Sequence, residues 1–87
     1  MHEASLMKNL IKQVDAVAAA ENARKVVGVS VWLGALSHMD EDHFGEHFRR
    51  ASTGTMAEGA RIDVTLSDDA THANAQDVLL ESVEVET

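Results

Sequence analysis

The chain opens on Met1-His2-Glu3, and these residues carry a donor set suited to a metal ion. A histidine at the second position brings three nitrogens within reach of one ion: the α-amine of Met1, the backbone nitrogen of His2 and the imidazole Nδ1 of His2. Together they close a five- and a six-membered chelate ring. Ligation by a backbone nitrogen requires an ion that displaces an amide proton. Ni(II) and Cu(II) do this, and both accept square-planar or tetragonal nitrogen fields. The α-amine, with an ordinary pKa near ~8, yields its proton readily to a metal. A bulky second residue blocks removal of the initiator methionine, so Met1 is expected to remain. The chelate leaves one in-plane position open, which suits an ion held for transfer. A histidine at this position also occurs by chance, so an ordinary N-terminus stays open beside the metal reading.

A second constellation is His43-Phe44-Gly45-Glu46-His47, which fits the H-x-x-E-H pattern of inverted-motif zinc proteases. On a helix the two histidines share a face and Glu46 could act as a base. A protease also needs a third ligand and a substrate cleft, and 87 residues leave little room for a cleft. The expectation is a pair of histidines on the rim of a helix, with metal ligation by the pair as the alternative. His38 and His72 are read as exposed loop residues. No nucleophile–base–acid set is visible, and Gly28, Gly34, Gly54 and Gly59 have no phosphate-binding spacing.

These groups must be positioned by short elements. Leu6, Leu10, Val14 and Val17 recur at helical spacing, with Met7 and Ile11 widening the stripe, which predicts a first helix from about Ala4 to Asn22. Lys25 to Leu33 is rich in β-branched residues and reads as a strand, with Val27, Val29, Val31 and Leu33 on one face and Gly34 at its end. Trp32, on the opposite face, is expected to pack under a helix, with a partner contact as the alternative. Ser37 or Asp40 caps a second helix running to about Ala51, with Phe44 and Phe48 on its buried face. Ile62, Val64 and Leu66 mark a second strand. Val78, Leu80, Val83 and Val85 mark a third, whose phase shift near Ser82 implies a bulge or an edge position. Residues 67 to 77 read as an exposed loop. The order αβαββ implies a two-layer α/β domain over residues 1–87, a three-stranded mixed sheet covered by two helices, with the first two strands parallel.

Composition narrows the functional classes. The formal net charge is −8, which repels nucleic acid. Six acidic residues and no Lys or Arg lie between Asp68 and Thr87, either a solubilising edge or a dock for a basic partner. There is no cysteine, which excludes disulfides, thiolate zinc sites and cysteine nucleophiles. The apolar run from Val26 to Leu36 is far short of the ~20 residues of a membrane span, and no signal peptide is visible. A cytoplasmic protein without membrane or nucleic-acid partners is expected.

The segment Met1-His2-Glu3-Ala4-Ser5-Leu6-Met7 resembles the opening of the hydrogenase and urease nickel-incorporation proteins, the HypA/HybF family. Val31-Trp32-Leu33-Gly34-Ala35-Leu36-Ser37, the helix from Phe44 to Phe48, Gly54-Thr55, Ala57-Glu58-Gly59-Ala60 and the final Glu81-Ser82-Val83-Glu84-Val85-Glu86 resemble the family in the same order. The resemblance implies a metallochaperone, not an enzyme, that binds Ni(II) transiently through Met1, His2 and the backbone at Glu3. It implies two partners, a maturation GTPase and the large subunit of [NiFe] hydrogenase, with urease as recipient in some organisms. The family also carries a zinc module with two CxxC pairs between its last two strands. Residues 67–77 occupy that place here, so structural zinc is not expected. The alternative to nickel delivery is a metal-independent interaction module that keeps the fold; a small hydrolase is a distant third.

Overall fold

The computed structural model describes residues 3–87, with side chains from residue 5 onward, so Met1, His2 and the side chain of Glu3, the expected metal set, lie outside what is described. The elements follow in the order α1 (Glu3–Ala20), β1 (Lys25–Leu33), α2 (Glu41–Ser52), β2 (Arg61–Leu66) and β3 (Val78–Glu86). The strands form one sheet in the order β2-β1-β3, with β1 parallel to β2 and antiparallel to β3. Both helices pack on one face of this mixed sheet, as the element pattern implies.

The core is assembled on β1. Val26, Val29, Val31 and Leu33 are buried and meet Met7, Leu10, Val14 and Ala18 of α1 and Phe44 and Phe48 of α2. Burying each large apolar side chain contributes about 1.5–3 kcal/mol. Ile62 and Val64 are half-buried and pack against the edge of this cluster, because β2 is an outer strand. On α1 the stripe passes through Ala18, and Val17 stays exposed: after Val14, four residues bring the helix back to the core more closely than three.

Two bulges keep the outer strands in phase. The pairing steps from Val26↔Val85 to Gly28↔Glu84, leaving Val27 unpaired on β1. It steps again from Ser30↔Ser82 to Val31↔Leu80, leaving Glu81 unpaired on β3. The second bulge is the one implied near Ser82, and β3 is indeed an edge strand. The first corrects the expected face of β1: Val26 takes the buried position and Val27 is half-exposed, since each extra residue inverts the alternation.

Asn22 closes α1 in the left-handed conformation (φ 52°), with Ala23 N–H donating to Ala18 O (2.9 Å) and Asn22 N–H to Ala19 O (3.2 Å). Asp40 is the cap of α2, its carboxylate accepting from His43 N–H at 2.7 Å. The helix-free face of the sheet carries Arg61, which lies over Gly28 and pairs with Asp63 (2.9 Å) and Glu84 (3.4 Å). The hydrogen bond that Arg61 donates to Asp63 first, then those it donates to Glu84, raise the Arg61 pKa above its ordinary value.

Trp32 lies on this same face, so it does not pack under a helix. It is half-buried, and the exposed ring of His72 rests against it with centroids 4.9 Å apart. The 67–77 connection is thus more ordered than an exposed loop. Asp69 accepts from the Thr71 hydroxyl (2.6 Å) and the Thr71 N–H (3.0 Å), which hold its carboxyl below the ordinary value, the hydroxyl most. Its end folds over Gly34: Ala75 is buried, Gly34 N–H donates to Asp77 O (2.9 Å), and Leu36 N–H donates to Ala75 O (2.7 Å).

Two substitutions test this frame. Val31→Asp places an unpaired carboxylate in the centre of the core, costing several kcal/mol, about the whole stability of a chain this size. No cooperative thermal transition is expected, and a folded variant would refute the assigned core. A Cβ at Gly34 would stand 2.2 Å from Ala75 O, which is backbone and has little room to yield. Gly34→Ala is expected to lose about 1–3 kcal/mol in urea unfolding, and a neutral result would mean that the connection does not close over β1.

Candidate metal centre

The proposed N-terminal donors precede α1 directly. Because α1 begins at Glu3, the amides of its first turn have no acceptor within the helix. A metal that takes a backbone nitrogen there breaks no helical hydrogen bond, so the donor set and the helix start are compatible.

One turn into α1, Leu6 lines a cavity of about 380 Å³ with Leu36, Ser37, His38, Met39 and the stretch Gln76–Val78. His38 is exposed and left-handed (φ 61°), and the Ser37 hydroxyl is buried without a hydrogen-bond partner among the described residues. A second opening, about 470 Å³, is a groove between the helices. Met7, Lys8, Ile11 and Lys12 form its α1 side, and His47, Arg50 and Ala51 its α2 side. The segment before α2 therefore lies near Leu6 and the end of α2 near Lys12, so the two helices run in roughly the same direction.

Phe44 and Phe48, stacked with centroids 5.8 Å apart, anchor α2 in the core and fix what its flanks present. His43 and His47 fall on the flank that carries the groove. Both are half-buried, with ring centroids 4.6 Å apart and planes at 44°. Glu46 is turned away to solvent and pairs with Arg50 at 3.0 Å. The H-x-x-E-H pattern therefore gives a pair of rim histidines, with its glutamate occupied elsewhere. Among the described residues no three His, Asp or Glu side chains converge on one point. The spacing of His43 and His47 was readable in the sequence. Their position beside α1 was not, because helix packing is decided by contacts distant along the chain.

Residues 1–84 match the family described as hydrogenase/urease nickel incorporation, metallochaperone, hypA. The chain belongs to the HypA family. The hydrogenase maturation factor HypA of Chlorobium limicola is 36% identical over 64 residues, 74% of this chain and 55% of that protein. That of Nitrosospira multiformis is 34% identical over 64 residues, 74% and 56% of the two chains. The chain spans about half the length of these curated HypA relatives. The solution structure of the Ni metallochaperone HypA from Helicobacter pylori has the same fold, with a TM-score of 0.80 at 21% identity over 99% of this chain and 98% of that one. The family is described as one of metallochaperones for nickel incorporation, and the matched relatives are named hydrogenase maturation factors. No helix among the described residues is long and apolar enough to cross a membrane.

Proposed function

We propose that this chain binds Ni(II) at its N-terminus and delivers it during the maturation of [NiFe] hydrogenase, or of urease, in the cytoplasm. The observation that carries the reading is the family match, which begins at residue 1 and so includes Met1, His2 and Glu3. The Met1 amine, the His2 backbone nitrogen and the His2 imidazole supply three in-plane nitrogens, and the family resemblance adds the backbone at Glu3 at the position that these three leave open. Such a field suits Ni(II), and its deprotonated amide makes release sensitive to protonation. A maturation GTPase and the hydrogenase large subunit are the partners this role requires.

The domain is read as a single nickel-binding unit of residues 1–87 in which the 67–77 connection takes the place of the family's zinc module. Two features support this. The chain has no cysteine, and the connection is closed by its own hydrogen bonds and by Ala75 over Gly34. Chelator is accordingly expected to leave the melting temperature unchanged, and metal analysis to find no stoichiometric zinc. A sharp fall in melting temperature would refute the replacement.

The nickel site is tested by titration of protein that begins at Met1. About one Ni(II) should bind with the d–d band of a planar nitrogen field, more tightly as pH rises, because an amine and an amide must lose protons. His2→Ala removes one chelate ring and should abolish the planar band. One extra residue before Met1 makes the histidine third and should build a different, slowly released site. If His2→Ala keeps the planar band at the parent's affinity, the N-terminal assignment fails, and an interaction module that keeps the fold without nickel delivery replaces it.

A further inference from the structure

We propose that His43 and His47 form a second site for a divalent transition metal, a two-imidazole clamp on the flank of α2. It stands on the geometry of α2, independently of the N-terminal reading. Residues four apart on a helix lie one above the other on the same face, the arrangement by which helical histidine pairs hold metals. The observed ring separation fits that chemistry. With a metal–nitrogen bond of about 2.0–2.1 Å, the centroid of a ligating imidazole stands roughly 3.2 Å from the ion, so two rings at right angles around it have centroids about 4.5 Å apart. The rings of His43 and His47 are 4.6 Å apart. The separation is compatible with adjacent positions of an octahedral or tetragonal field, and water would fill the remaining positions.

The surroundings select the kind of ion. Imidazole nitrogen suits Ni(II), Cu(II) and Zn(II) and disfavours Mg(II) and Ca(II), which prefer oxygen. Glu46 is held by Arg50, and the Asp40 carboxylate is engaged by the His43 N–H. The clamp is therefore built from two neutral ligands, a weak and exchangeable holder. A metal here displaces the contacts both rings already make. His43 lies one turn nearer than His47 to the start of α2, and the helices run in the same direction, so the clamp lies toward the end of α1 that opens with Glu3.

The test separates this site from the N-terminal one by spin state. Planar Ni(II) is diamagnetic, whereas Ni(II) held by two imidazoles and water is octahedral and paramagnetic. Nickel chloride titrated into the His2→Ala protein should saturate at about one equivalent and broaden the NMR resonances of His43 and His47. His43→Ala and His47→Ala each remove a ligand. If losing an outer-shell partner weakens metal binding about 10–100-fold, losing a ligand should weaken it at least tenfold. The double variant should lose the broadening while the otherwise unchanged protein keeps its planar band. Alanine favours the helix, and circular dichroism will confirm that α2 is retained. The proposal is overturned if His2→Ala shows no saturable binding, or if its broadening survives in the His43→Ala/His47→Ala background.

Discussion

The domain depends on the removal of one face of β1 from water. Among the described strands β1 alone has a hydrogen-bonded neighbour on each side, and its buried residues belong to one cluster with the core side chains of both helices. Val29 and Val31 sit in the middle of that surface, opposite Ile62 and Val64 on β2 and Val83 and Leu80 on β3. A chain of 87 residues has no second core to fall back on. The bulges at Val27 and Glu81 follow from this constraint. Without them the apolar residues of β1 and β3 could not all reach the helix side, because along each strand the core-facing positions change from even to odd numbers.

The other face of the sheet is held by different forces. Here Arg61 bridges Asp63 and Glu84 over Gly28, and Trp32 is sheltered by His72 rather than by a helix. Exposed ion pairs contribute little, typically under about 1 kcal/mol each. Their role is one of charge placement. They set one cation among the acidic residues of β2 and β3, where uncompensated like charges would face one another across the sheet. The 67–77 connection then spans one end of the sheet and returns over Gly34, so the open face and the exit of β1 are tied together.

Much of this was written locally in the sequence. The αβαββ order, the parallel pair, the Asp40 cap and the bulge of β3 follow from periodicity, turn chemistry and phase. What escaped were features with no local signature. Val26 and Val27 are adjacent identical residues, and only pairing with β3 decides which one is buried. Trp32 was placed on the right face, but which face the helices cover is a tertiary choice. The left-handed Asn22 was hidden because its helical neighbours are strong helix formers. At the candidate metal centre the family was legible from resemblance and the N-terminal donors remain a proposal from chemistry, whereas the approach of α2 to α1 came only from packing.

The two proposed donor sets share a property that suits so small a scaffold. A chelate built from the first residues and a pair spaced four apart on a helix both draw on neighbours in sequence, so little chain must be closed to bring the ligands together. A site assembled from distant loops would demand order from a fold with little stability to spare. The surrounding charge works in the same sense. A formal charge of −8 attracts dications over roughly one Debye length, about 10 Å at moderate salt, while Asp40, Glu41 and Asp42 cluster at the start of α2. In the proposed sites the imidazoles would supply selectivity and the carboxylates the field, a division that would suit the proposed delivery role. Direct carboxylate ligation would add binding strength at the cost of release, whereas a diffuse field draws the ion in without contributing a bond that must later be broken.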